Sequence, residues 1–90
     1  MIACVRFHQQ RVAGTVLLPA SKSISNRYLL LRSLAGSDAE IANLSEARDT
    51  RLLQELLNSA TTVLDAQDAG TVYRFLTAML AYKPGKWQLT

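Results

Sequence analysis

Cysteine, histidine and tryptophan each occur once in these 90 residues, proline only twice, and no uninterrupted apolar stretch exceeds about five residues. Each scarcity removes a class of function. A lone Cys4 cannot close an intrachain disulfide, which points to a reducing, cytoplasmic setting and to a small packing residue. His8 has no serine, cysteine or carboxylate at relay spacing, so a Ser/His/Asp or Cys/His catalytic apparatus is not built around it. No Cys, His or carboxylate cluster has metal-ligand spacing, and no metal is expected. The apolar runs fall far short of the roughly 18 residues that span a bilayer, so no membrane role is expected. The start, Met1-Ile2-Ala3-Cys4-Val5-Arg6, lacks the basic-then-apolar order of a secretory signal. Aromatic residues make up only 7% and do not interleave with basic ones, which argues against stacked nucleic-acid bases.

What remains is a chain able to fold. Hydrophobic residues reach 49% and the net charge is only +3, a balance unlike that of a disordered segment. The length suits one small domain or a piece of a larger one, with a thin core. The ten basic residues are scattered, from Arg6 to Lys86, without a run. A few placed cations of this kind suit small anions better than a long polyanion.

The apolar pattern alternates strand-like and helix-like segments. Ile2 to Phe7 and Thr15 to Leu18 read as short strands, with Pro19 ending the second. From Ile24 the apolar residues fall at 24, 28, 31, 34 and 35, which is helical spacing, and Gly36 is placed to terminate. Glu40 to Leu44 reads as another strand. A second helix is signalled from Asp49 or Thr50, with Asp49 as N-cap and Leu52, Leu53, Leu56 and Leu57 as its stripe. Thr61 to Leu64 is a strand, a third helix runs from about Thr71 with Val72, Phe75, Leu76, Met79 and Leu80 on one face, and Lys86 to Thr90 is a terminal strand. This alternation predicts an α/β (α+β) fold. The chain stops within a strand pattern and without a polar tail, which reads as a fragment.

Two segments gather anion-binding chemistry. Residues 19–27 read Pro-Ala-Ser-Lys-Ser-Ile-Ser-Asn-Arg. A strand end followed by hydroxyl residues that open a helix leaves unpaired amides at the positive end of the helix dipole. Lys22 adds a mobile charge there. Arg27, four residues after Ser23, brings a planar fork to the same face. Ser21 or Ser23 serves as the cap. The Gly-x-x-x-x-Gly-Lys frame of a P-loop is absent. Residues 68–74, Asp-Ala-Gly-Thr-Val-Tyr-Arg, repeat the theme: Gly70 permits close approach, Thr71 can cap, and Arg74 follows within a turn.

At these motifs the chain resembles the EPSP synthases of the enolpyruvyl transferase family. The likeness runs through Leu18-Pro19-Ala20-Ser21-Lys22-Ser23-Ile24-Ser25-Asn26-Arg27, Asn43-Leu44-Ser45, Asp49, Ala69-Gly70-Thr71, Arg74-Phe75-Leu76-Thr77-Ala78 and Leu89-Thr90. The resemblance implies a βαβαββ-type unit of that family's inside-out barrel, incomplete in 90 residues. The chain would be the N-terminal part of a two-domain enzyme, with strands in residues 1–18 that pack with the other domain and residues 19–90 forming the first repeat unit. It implies transfer of the enolpyruvyl group of phosphoenolpyruvate to the 5-hydroxyl of shikimate 3-phosphate, with no cofactor and with the remainder of the enzyme as partner. Lys22 is the implied catalytic contact to phosphoenolpyruvate and the neighbouring anions. By the same resemblance Ser23 and Arg27 would hold the shikimate phosphate substrate, chiefly at its carboxylate, while Gly70 would back phosphoenolpyruvate, Thr71 would orient that loop and Arg74 would complete the substrate-binding set. The chain departs from the family at Asp68, commonly Asn, and in a shortened stretch between the second helix and Asp68. Alone it is expected not to turn over, and its incompletely covered leucines predict self-association or a second chain. The rival readings are the sister enzyme that uses UDP-N-acetylglucosamine, which lacks the Ser-Lys-Ser-x-Ser-Asn-Arg string, a basic nucleic-acid-binding module, and a structural fragment without a ligand.

Overall fold

The computed structural model describes residues 1–90. Three helices carry the fold: α1 (Lys22–Leu34), α2 (Arg48–Leu57) and α3 (Gly70–Tyr82), with two short strands, β1 (Val63–Leu64) and β2 (Gln88–Leu89). The mixed α/β character expected from the periodicity is therefore present, with much less strand than the pattern suggests.

Local signals account for the ends of α1. Ser21 is the cap, its Oγ accepting from the Ile24 amide at 3.2 Å. At the other end Gly36 adopts φ 63°. There the amides of Gly36 and Ser37 return to the carbonyls of Ser33 (3.2 Å) and Arg32 (3.1 Å). This paired closure satisfies orphan carbonyls and needs a left-handed residue, which glycine supplies cheaply.

The face that α1 buries is not the one its apolar spacing predicts. Ile24, Tyr28, Leu31 and Leu34 are exposed, whereas Ser25, Asn26 and Leu29 are buried. Two buried hydrogen bonds explain this orientation: the Ser45 amide donates to Ser25 Oγ at 2.9 Å, and Thr50 Oγ1 donates to Asn26 Oδ1 at 2.7 Å. α1 thus docks on the α2 region through a polar seam whose members, once paired, tolerate burial. Below it lies the apolar core of Leu29, Leu52, Leu53, Ala66, Ala69, Val72, Leu76 and Met79, with Leu56, Leu57, Phe75 and Leu80 packed at its margin. The stripes expected on α2 and α3 are the ones used. Only 13 of the 90 residues are buried, so the core is thin, as the length implies.

β1 and β2 pair in parallel, Val63 opposite Gln88 and Leu64 opposite Leu89, with α3 as the crossover. Flanking bonds from Gln88 N to Thr62 O (2.8 Å) and Ala66 N to Thr90 O (2.8 Å) extend the ladder slightly. The strands expected at residues 2–7, 15–18 and 40–44 are absent. Residues 1–19 are exposed throughout and carry neither helix nor strand. The radius of gyration, 18.4 Å, accordingly exceeds the about 12 Å of a compact chain this long. A strand needs a ladder partner for its amides and carbonyls, and none of the 90 residues offers one to these segments. Residues 40–44 instead turn at Asn43, which holds φ 55°, and Ile41 and Leu44 pack against the core without pairing.

Candidate functional site

The first turns of α1 and α3 border one cleft of about 320 Å³, lined by Lys22, Ser23, Asn26, Arg27, Thr71, Arg74 and Phe75. Five of the six residues singled out in the sequence therefore share a cavity. Gly70, the sixth, is not in the lining; it sits one residue behind Thr71, and its carbonyl accepts from Arg74 Nε at 3.4 Å. A Cβ built on Gly70 would meet only Arg74 Nη2, at 3.8 Å, so the glycine keeps the approach open without being sterically forced.

Both helix tips leave amides free. α1 spends one amide on Ser21, leaving those of Lys22 and Ser23 without an internal acceptor. α3 has no side-chain cap: Ala69 is its N-cap, the helix starts at Gly70, one residue before the expected start, and Thr71 does not cap. The amides of Gly70, Thr71 and Val72 precede the first bond of that helix, from Tyr73 N to Ala69 O at 3.0 Å. Positive dipole ends and three cations, Lys22, Arg27 and Arg74, thus converge on a cleft lined by no carboxylate.

The cations are held, not loose. Arg27 donates to the Ser23 carbonyl at 3.1 Å and to Ser23 Oγ, both one turn back, and its guanidinium lies 5.6 Å from the centre of the Phe75 ring. Lys22 Nζ reaches Asp49 Oδ2 at 3.1 Å. Asp49 is therefore not the cap of α2: Ala47 occupies that place without a side-chain bond, the helix begins at Arg48, and Asp49 stands in the first turn, where the dipole favours a carboxylate. Asp68 pairs with Arg48 at 3.1 Å, both side chains exposed, and neither lines the cleft. Asn26 is wholly buried, and its Nδ2 has no partner.

Sequence reasoning missed Asn26 and Phe75 as cleft residues. Asn26 stood inside the motif with no role of its own. Phe75 fitted the apolar stripe of α3, which it also serves. Other hollows are chemically unlike this one. A depression of about 390 Å³ between Leu30, Leu34, Ala78, Met79 and Tyr82 offers no charged group to fix a ligand. No three His, Cys, Asp or Glu side chains gather as a metal-ligand set. No helix is long and apolar enough to cross a membrane.

The family described as EPSP synthase (3-phosphoshikimate 1-carboxyvinyltransferase) matches residues 7–60. Among curated proteins, the 3-phosphoshikimate 1-carboxyvinyltransferase of Bacteroides fragilis (strain YCH46) is 42% identical over 80 residues, 89% of this chain and 20% of the relative. That of Nitrosomonas europaea is 36% identical over 107 aligned positions, 92% of this chain and 25% of the relative. That of Pseudoalteromonas translucida is 39% identical over 104 positions, 88% and 24% respectively. The two longer alignments exceed the chain's own 90 residues, so those relatives carry residues that this chain and the Bacteroides alignment lack. The chain spans about a fifth to a quarter of the length of these relatives. No solved structure matches the chain.

Proposed function

The chain belongs to the EPSP synthase family, and from that footing we propose that it supplies one wall of a substrate cleft for enolpyruvyl transfer from phosphoenolpyruvate to the 5-hydroxyl of shikimate 3-phosphate. The single observation that carries the reading is the meeting of Lys22, Ser23, Arg27, Thr71 and Arg74 in one cleft flanked by free helix-tip amides.

The reaction brings together two anions that repel each other. The 5-hydroxyl oxygen bonds to the central carbon of phosphoenolpyruvate while its methylene carbon takes up a proton. The hydroxyl proton departs, and inorganic phosphate then leaves from the tetrahedral adduct as the new methyl group gives back a proton, restoring the carbon–carbon double bond. Fixed cations and amides lower the cost of the encounter because they are already oriented before the substrates arrive. In this reading Lys22 neutralises phosphoenolpyruvate and adjoining anionic oxygens. Arg27, braced on Ser23, presents its fork to the carboxylate of shikimate 3-phosphate, and Ser23 Oγ binds beside it. Gly70 and Thr71 give backbone amides to phosphoenolpyruvate, and Arg74 adds charge at their side. The βαβαββ unit of the family's barrel is the frame we assign to residues 19–90. Residues 1–18 would pair with strands outside this chain.

The test is a binding experiment with three ligands. Shikimate 3-phosphate and phosphoenolpyruvate should perturb the amides of Ser23, Gly70 and Thr71, and UDP-N-acetylglucosamine should not. Phosphate release by the 90-residue chain should be undetectable, since one wall of a cleft cannot enclose both substrates. Preference for UDP-N-acetylglucosamine, or affinity only for long polyanions, would overturn the proposal.

A further inference from the structure

Only half of the Asn26 carboxamide is accounted for by the fold. Asn26 is fully buried, and its Oδ1 accepts from Thr50 Oγ1 at 2.7 Å. That bond satisfies Thr50 and half of the asparagine. The other half, Nδ2, has two N–H groups and no acceptor. Native proteins seldom leave such donors unpaired, because desolvating them without compensation is expensive. If Asn26 served only to hold α1 on α2, a leucine facing a valine would fill the same space and leave no orphan.

The position of the orphan suggests what completes it. Asn26 lies three residues after Ser23 and four after Lys22, so its side chain shares their face of α1, and it lines the same cleft as Arg27, Thr71 and Arg74. Because Oδ1 is taken by Thr50 on α2, Nδ2 is the half of the carboxamide left without a partner beside the cleft that Asn26 lines. Lys22 and Arg27, both exposed, border the same cleft, where a ligand's oxygens can exchange with the surface contacts to Asp49 and Ser23 that hold them.

We infer that Asn26 is a substrate-binding residue whose Nδ2 donates to an oxygen of the anionic ligand seated at the base of the cleft. The inference rests on the proposed function and adds a buried, uncharged donor to its exposed cations. The division of labour follows from burial: the cations attract at long range, whereas a desolvated amide in a fixed place selects where an acceptor oxygen sits. Thr50, though it touches no ligand, is a positioning residue, since it fixes the rotamer and the flip of the carboxamide.

The experiment is a ¹⁵N-resolved titration of the 90-residue chain with shikimate 3-phosphate. The Asn26 side-chain NH₂ signals, assigned by their loss in an Asn26→Leu/Thr50→Val double variant, should move with the same saturation curve as the Gly70 and Thr71 amides. The double variant removes both polar partners together. It should melt at or above the wild-type temperature while its affinity falls roughly ten- to hundred-fold, the range of one hydrogen bond to a charged acceptor. Tip amides that respond while the Asn26 signals stay still would overturn the inference and leave the site standing. A folded double variant that binds as tightly as wild type would overturn it equally. If no cleft resonance moves in the wild type, or a Lys22→Ala variant binds equally well, the functional reading itself fails and takes this inference with it.

Discussion

Lys22 and Asp49 close an ion pair, Nζ to Oδ2 at 3.1 Å, that joins the first turn of α1 to the first turn of α2 across 27 residues of sequence. The lysine side chain is 48% exposed and the carboxylate 27%. The pair therefore acts in a largely aqueous dielectric, and its stabilising effect is of the order of 1 kcal/mol or less. Its larger consequence is electrostatic: the carboxylate competes with any ligand for the ammonium group. Asp49→Asn should shift the unfolding free energy by no more than about 1 kcal/mol in denaturant titration. It should also tighten binding of inorganic phosphate a few-fold at low salt, an advantage that fades as salt screens the lysine.

The Arg27–Phe75 stack should matter to affinity more than to folding. An exposed cation–π contact contributes about 0.5–1 kcal/mol. Phe75→Leu should weaken shikimate 3-phosphate binding by roughly two- to five-fold, in proportion to that energy, and Phe75→Tyr should restore it. Equal binding by the leucine variant, measured by calorimetry, would mean that Ser23 alone orients the guanidinium.

Gly70→Ala separates folding from ligand approach. The added methyl meets nothing nearer than Arg74 Nη2 at 3.8 Å, and the helical position favours alanine over glycine by up to about 1 kcal/mol. The variant should melt slightly higher than wild type. A simultaneous loss of phosphoenolpyruvate binding, seen in the same sample, would then report crowding of the ligand.

Gly36→Ala tests the closure of α1. At φ 63° with open space around it, the position penalises a side chain through the backbone alone, by about 1–2 kcal/mol. Gly36→Asn should recover part of that loss, since asparagine tolerates the left-handed region. Chemical denaturation of the two variants reads the difference directly.

Leu53→Ala tests the core. Leu53 is wholly buried in a cluster of eight buried residues, and its truncation should cost about 2–5 kcal/mol. For a chain of this size that is a large fraction of total stability. Far-ultraviolet circular dichroism should show a marked loss of helix in the variant at 37 °C.

Much of the site was legible in the sequence because its parts are local. A capped helix start carries its own free amides, and Ser23 and Arg27 share a face through helical spacing alone. The same holds for Gly70, Thr71 and Arg74. Asn26 and Phe75 escaped because each already had an ordinary explanation, one as a residue inside a motif and the other as a member of an apolar stripe. That both line the cleft appears only when α1 and α3 are placed side by side.

The linear order of residues by itself determined where the helices begin and end to within a few positions, which leucines of α2 and α3 turn inward, and that α1 would open on a serine cap and close at Gly36. These depend on bonds and contacts within about one helical turn. The tertiary structure alone decided that α1 buries Ser25 and Asn26 in place of its apolar stripe. It also decided that the strand patterns before residue 19 stay unpaired, and that Asp49 answers to Lys22 while Asp68 answers to Arg48. Each of those outcomes depends on whether a distant partner is present: a ladder, a hydrogen-bonding group or an opposite charge. Periodicity describes a face, and only the neighbour that meets it fixes which face is covered.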